Sequence, residues 1–282
     1  MIRIIATLLF AVAASCAAAS PARVVSMNLC TDQLAMLIAS PGQLVSVSAL
    51  SQDPVMSAMV DEAKTYKANQ GRAEEVFIMR PDLVLAGAFT ARSTVAMLKR
   101  LGFRVEVFQP SQNFADIHTN IKRMGVLLGH EDRASKLLVS FDRELAKFAS
   151  DSSGPNAPLA AAYYPGGRTS GKKTLMNGIM EAAGWRNFGA ELGITGIGNM
   201  PLELLVMNRP DAVINAENDA LGPVLANENF RHPALLGAIK SGMGLFTIPN
   251  RFELCGGPFT IEAVRALDGL RQKISVPVGR SQ

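Results

Sequence analysis

Glu74-Glu75-Val76-Phe77-Ile78-Met79-Arg80-Pro81-Asp82-Leu83-Val84-Leu85 and Glu203-Leu204-Leu205-Val206-Met207-Asn208-Arg209-Pro210-Asp211-Ala212-Val213-Ile214 share one pattern. Each reads Glu, five residues, Arg-Pro-Asp, then an apolar run. Proline lacks a backbone donor and pushes the residue before it out of helical geometry. Each copy therefore reads as a short helix, a sharp stop and a buried strand. The copies lie about a lobe's length apart, which predicts two similar α/β lobes. Two-lobed chains commonly hold a ligand between the lobes.

The chain has 282 residues, enough for one large or two modest domains. Its 48% hydrophobic and 18% charged content is that of a globular protein. A net charge of +4 without a polybasic run, and 6% aromatics, argue against a nucleic-acid partner. Residues 1–19 carry Arg3, an apolar stretch from Ile4 to Ala14 and the small residues Ala17-Ala18-Ala19. This is the pattern of a secretory signal peptide, too short for a permanent anchor, and it predicts an exported protein. Cys16 within it offers an alternative, a lipid tether. Cleavage leaves two cysteines, Cys30 and Cys255.

Working outward from the repeated motif, strands are expected at 23–27, 44–47, 83–86 and 104–108, alternating with helices. Asn28-Leu29-Cys30 reads as a turn, with Thr31 or Asp32 capping the helix that follows. Such alternation implies a mostly parallel sheet. From Phe114 to Phe148 the apolar spacing is helical throughout, interrupted at Gly129. The organisation is thus an N-terminal α/β lobe over 23–128, a connecting helix over 129–150, and a second α/β lobe over 157–282. A polar break, Ser150 to Asn156, precedes the second lobe. These are two Rossmann-like lobes joined by one long α-helix.

Gly166-x4-Gly171-Lys172 looks like a phosphate-binding loop, but Lys173 stands where that motif needs Ser or Thr. The milder reading is a loop facing a ligand or anion at a helix start. His118, His130 and His232 stand apart from one another, from cysteine and from paired carboxylates in sequence. No Gly-x-Ser-x-Gly elbow and no zinc-ligand spacing occurs, so neither catalysis nor a resident metal or cofactor is expected. Ligands in open α/β lobes collect at the carboxyl ends of strands. That rule selects Asn28, Leu29, Cys30 and Thr31, then Phe89 and Thr90, Tyr164 to Arg168, and Arg251 to Cys255. Phe89, Tyr164 and Phe252 would cover a large planar ligand, and Arg168, Lys172 and Arg251 would meet its acidic groups.

Over nearly its whole mature length the chain resembles the periplasmic binding proteins of ABC importers for cobalamin and ferric siderophores. Arg23-Val24-Val25-Ser26, Glu74 with Arg80-Pro81-Asp82, Thr169-Ser170-Gly171-Lys172 and Glu203 with Pro210 carry the likeness. It implies a monomer that captures a metal chelate in its cleft and hands it to permease subunits in the inner membrane. It also implies that Glu74 and Glu203 dock, one per lobe, onto the permease. Haem or another tetrapyrrole is an alternative cargo on the same fold, and an exported α/β hydrolase an alternative function. Gly87-Ala88-Phe89, Arg168 and Leu254 replace a tryptophan, a phenylalanine and an arginine of the cobalamin binder's cleft. An arginine-bearing pocket would suit an anionic ferric chelate or a tetrapyrrole with carboxylates. Cys30 and Cys255 fall on cleft loops of opposite lobes, where they either contact the ligand or pair.

Overall fold

A computed structural model describes residues 20–148, 154, 156–216 and 228–275. The expected signal peptide with Cys16, and most of the 150–156 polar stretch, lie outside these residues.

The first half runs β1 (Val24–Ser26), α1 (Leu29–Ile38), β2 (Leu44–Ser48), α2 (Val60–Ala63), β3 (Lys67–Asn69), α3 (Ala73–Met79), β4 (Leu83–Gly87), α4 (Arg92–Arg100) and β5 (Val105–Phe108). Its strands form one parallel sheet in the order β3-β2-β1-β4-β5. Helices cover both faces of such a sheet, so its central strands are apolar without alternation. β4 accordingly is buried along its full length. β3 gave no sequence signal: Lys67-Ala68-Asn69 is a polar edge strand.

α5 (Phe114–Leu128) and α6 (Glu131–Leu145) follow. Asn113 caps α5 by accepting from the Asp116 amide at 2.8 Å, and Gly129 ends it at φ 72°, a left-handed turn that suits glycine. α6 begins after that turn and closes with a 3-10 turn, Ala146–Phe148. The regular helix therefore covers 131–145 of the expected 129–150.

The second half runs β6 (Leu159–Tyr164), β7 (Arg168–Ser170), α7 (Leu175–Ala182), β8 (Arg186–Asn187), α8 (Phe188–Glu191), β9 (Ile197–Asn199), α9 (Leu202–Asn208), β10 (Ala212–Ala216), α10 (Glu228–Arg231), α11 (Pro233–Lys240), β11 (Gly244–Ile248), α12 (Asn250–Glu253) and α13 (Thr260–Ser275). The sheet order is β11-β10-β6-β7-β9, with β8 beside β6. β11, β10, β6 and β8 are parallel, whereas β7 runs antiparallel to its neighbours β6 and β9.

The repeated motif has the same geometry in both halves. Arg80 and Arg209 end α3 and α9 in the left-handed region, at φ 46° and 45°. Pro81 and Pro210 are both buried behind them. Asp82 then accepts from the Ala22 and Arg23 amides, each at 2.9 Å, at the entry of β1. Asp211 accepts from the Leu159 amide at 2.7 Å, at the entry of β6. In each half the strand after the motif pairs with that half's first strand. The aspartates clasp these neighbours together.

One apolar cluster runs through both halves. Ile117, Ile121 and Met124 of α5 and Phe141 of α6 share it with Leu175, Ile179 and Met180 of α7 and Val264 and Leu267 of α13. Phe114 and Phe141 pack with ring centres 6.1 Å apart. Joining the halves through shared core makes a stiff body, unlike one joined by flexible strands.

Candidate ligand-binding cleft

The strand order reverses between β1 and β4, where the chain leaves β1 for one side of the sheet and returns to build the other. Ligands of open α/β sheets sit at such a switch point, beyond the carboxyl ends of the strands. A cavity of about 210 Å³ lies there. Asn28 to Thr31 follow β1, Gly87 to Phe89 follow β4 and Phe108 to Ser111 follow β5 along its walls; Leu254, Cys255 and Gly256 of the second half close it.

Asn28, not Thr31 or Asp32, caps α1. Its side chain accepts from the Cys30 and Thr31 amides at 3.1 and 3.4 Å, so these two residues form the first helical turn rather than a loop. Gly87 makes room for that cap: a Cβ there would stand 2.6 Å from the Asn28 side chain. Thr90 is turned away from the cavity, its hydroxyl accepting from the Gly87 amide at 3.0 Å. Phe89 projects from the rim, 86% exposed, with the exposed Leu50 and Leu254 beside the same mouth. Large exposed apolar groups gathered at one cavity mark a recognition surface.

Cys30 and Cys255 are joined by a disulfide, with Cα atoms 5.2 Å apart. Of the two readings left open by the sequence, the structure has the pair, and both sulfurs' residues also line the cavity.

The cationic part of the expected site does not assemble. Among the described residues no charged one lines the cavity. Arg251 donates to the Pro54 carbonyl at 3.3 Å and stacks on Phe252, 4.9 Å from the ring centre. Arg168 is exposed on β7, and Tyr164 lies deeper in the second half. The expected loop Pro165–Gly171 is a 3-10 turn followed by β7, with Thr169 and Ser170 buried. The Gly171 amide donates to the Gly196 carbonyl at 2.9 Å and the Lys172 amide to the Ile194 carbonyl at 2.8 Å. An anion cradle needs unspent amides, so the phosphate-loop likeness was only local sequence.

Two acids, Glu253 half-buried and Asp32 fully buried, have surroundings that the sequence did not announce. Glu253, on α12, stands 3.4 Å from the Tyr164 hydroxyl, which in turn meets the Ser170 hydroxyl at 3.2 Å. Burial pushes the Glu253 carboxyl up to about 7, against the Tyr164 hydrogen bond. Burial and the neighbouring carboxylate push Tyr164 well above the ordinary phenol range. Asp32, in the first turn of α1, is fully buried. One oxygen accepts from the Ser48 amide at 3.0 Å and from the Ser48 hydroxyl, while the other has no partner. Desolvation pushes its carboxyl up to about 6 despite the serine hydroxyls around it.

Two histidines do gain polar partners in space. His118 pairs with Asp142 at 2.7 Å, and His130 meets Ser40 at 2.6 Å and Gln43 at 3.1 Å through the same ring nitrogen. Neither lines the cavity, and Ser40–His130 ties the end of α1 to the α5–α6 turn. Among the described residues no cluster of three or more His, Cys, Asp or Glu is placed to hold a metal, and no helix is long and apolar enough to cross a membrane.

The chain is 24% identical over 197 residues to a cobalamin-binding protein of Halobacterium salinarum, a match covering 69% of this chain and 53% of the relative. It therefore spans about half the length of that relative. A vitamin B12-binding protein of Pectobacterium carotovorum is 21% identical over 70% of this chain and 71% of its own. Among solved structures, the periplasmic haem-binding protein RhuT from Roseiflexus superposes with a TM-score of 0.73 at 19% identity, over 89% of this chain and 98% of that one. At that identity the superposition establishes the two-lobed fold. The periplasmic binding protein profile matches residues 24–232. Carrying that profile over well more than half its length, the chain belongs to the periplasmic binding protein family.

Proposed function

We propose that the chain is the substrate-binding protein of an ABC importer, and that it captures a metal chelate in the cleft between its halves. The observation that carries this reading is the uncharged cavity at the β1/β4 switch point with its apolar rim of Leu50, Phe89 and Leu254. Such a rim fits the bulky organic shell of a chelate, which supplies the metal's ligands itself and asks no metal-binding side chain of the protein. The cargo is a ferric siderophore or a cobalamin-like corrinoid. Haem or another tetrapyrrole is the second reading, favoured by the apolar rim around the exposed Phe89. The carboxylates of such a ligand would then point to solvent.

The disulfide supports an oxidising compartment, and with the leader-like N-terminus a periplasmic location. Glu74 and Glu203, both exposed on short helices of like geometry, are assigned to permease docking.

The test is calorimetric titration of the protein, purified from a periplasmic extract, with cyanocobalamin, haemin and a panel of ferric siderophores, after recording its visible spectrum. Micromolar or tighter binding of one of them is expected; failure to bind any would end the chelate reading. Trp185 is a poor reporter because it is buried in the second half, donating to the Leu267 carbonyl at 2.9 Å. Glu74→Ala with Glu203→Ala should lower uptake and leave cargo affinity unchanged; weaker cargo binding would refute the docking assignment.

A further inference from the structure

Residues 249–257 leave the end of β11 and lie across the strand ends of the first half. Four contacts hold them there. Cys255 is bonded to Cys30 in the first turn of α1. The Asn250 amide group donates to the Met56 sulfur at 3.4 Å. The Arg251 guanidinium donates to the Pro54 carbonyl at 3.3 Å. Gly256 is pressed so closely on the first half that a Cβ would fall 2.4 Å from the Ser111 Cβ and 2.8 Å from the Ile117 Cγ1. Of these only the disulfide is covalent. The other polar contacts sit at partly exposed positions, where water competes for the same groups. Hydrogen bonds and packing let a lobe edge lift on a microsecond-to-millisecond scale, whereas a disulfide holds until it is reduced.

We propose that the Cys30–Cys255 bridge is a covalent strap that sets the thickness of cargo the cleft admits. It rests on the chelate-binding reading for its cargo, but not for its mechanics. The bridged cavity of about 210 Å³ falls below the roughly 300–1,000 Å³ usual for drug-sized ligands. A ligand larger than that enters the bridged form only in part, edge first past Phe89. A thin planar chelate fits that route. A corrinoid carries axial groups on both faces of its ring and needs the strap to lift. The bridge therefore acts as a specificity element, selecting flat cargo while it is closed.

Opening the bridge with tris(2-carboxyethyl)phosphine balances simply. The phosphine gives two electrons, water supplies the oxygen and two protons, and the products are phosphine oxide and the two thiols. The first measurement needs no cargo: hydrogen exchange of the amides of residues 250–257 and 28–34 in the bridged protein, the reduced protein and Cys30→Ser/Cys255→Ser. Loss of the constraint should speed exchange of these two segments about tenfold or more while α5 stays protected. Equal protection in all three forms would overturn the strap. If the double variant does not fold, the reduced wild-type protein alone decides.

The second measurement titrates haemin and cyanocobalamin into bridged and reduced protein. Haemin affinity should be little changed, and cyanocobalamin binding should gain about tenfold or more on reduction. Unchanged cyanocobalamin affinity beside faster strap exchange would overturn the size limit. Binding of neither probe to either form, beside faster exchange, would strike the chelate reading and the size limit built on it while the strap itself stood.

Discussion

Asp32 offers a prediction whose sign and size both come from the structure. Its carboxyl is fully buried, has one oxygen without a partner, and is pushed from 3.8 to about 6. In the unfolded chain it titrates at about 3.9. A folded-state value above the unfolded one means that the folded protein binds the extra proton between roughly pH 4 and 6. Protonation therefore stabilises the fold, and stability from this group is lost as pH rises through that window. The shift is about two units, and at 1.36 kcal/mol per unit it amounts to about 3 kcal/mol in all, of which about 2 kcal/mol falls between pH 4 and pH 7 because the unfolded carboxyl is already half ionised at pH 4. Asp32→Asn cannot charge, so it lacks this slope. The experiment is urea unfolding of both proteins at intervals from pH 4 to 8. The difference in stability between variant and wild type should swing by about 2 kcal/mol towards the variant as pH rises over that range. Taking the difference cancels every other titrating group. The absolute stability of the variant is not the readout, because its amide must also find partners in a buried site. Parallel pH curves for the two proteins would refute the reasoning and mean that water or a relaxed side chain solvates Asp32 in the folded state.

Glu253 should add a second loss of stability as pH passes from about 4.5 through 7, absent in Glu253→Gln and readable in the same unfolding series. Cys30→Ser/Cys255→Ser removes a link across 225 residues; the chain-entropy relation gives about 5 kcal/mol as its upper contribution, measurable by guanidinium unfolding. Phe89→Ala should leave unfolding within about 0.5 kcal/mol of wild type, since the ring is 86% exposed, yet weaken cargo binding measured by calorimetry about tenfold or more. Ile121→Ala, in the core shared by both halves, should cost about 2–5 kcal/mol in thermal or chemical unfolding.

The fold was legible because its signals are local and strong. Apolar runs, helical spacing from Ile117 to Leu128 and the glycine at 129 each dictate an element wherever they occur. β7 and β9 were missed because an antiparallel insertion built on Thr169, Ser170 and Gly198 owes its existence to pairing partners distant in sequence, and glycine-rich strands carry little propensity. The site was half legible. The strand-end rule selected Asn28 to Thr31, Phe89 and Cys255, which line the cavity, and applied to β5 it would also have selected Gln109 to Ser111. It also selected Tyr164, Arg168 and Arg251, which do not line that cavity, because strand ends of the second half do not all face the first. Which of them does is decided by the lie of residues 249–257, and that depends on packing against Ser111 and Ile117. The surroundings of Glu253 and Asp32 were not legible, because burial of a carboxyl is a property of the assembled structure.

The repeated motif carries two separate messages, and the structure divides them. Arg-Pro-Asp is explained by the fold alone: a left-handed helix end, a buried proline and an aspartate clasping the neighbouring strand recur in both halves because both halves are built alike. Its recurrence is therefore no evidence for docking. The residues before it are different. Val76 and Leu205, at one register, are buried and anchor α3 and α9 to their sheets. Glu74 and Glu203 point outward, and one turn further on Ile78 and Met207 stand 75% and 78% exposed, again at one register. Residues four apart lie side by side on a helix. Each half so presents an acid beside a bare apolar side chain on a surface the fold does not use. A single exposed apolar residue needs no explanation, but two at matching positions, each beside a matching glutamate, are more than the shared architecture requires. They fit a partner that offers the same socket twice, a cationic group flanked by apolar surface, as a two-fold symmetric permease would. On that argument Ile78→Ser with Met207→Ser should impair uptake as the glutamate pair does, with cargo affinity unaltered. Normal uptake in that double variant would reduce the docking footprint to the two carboxylates.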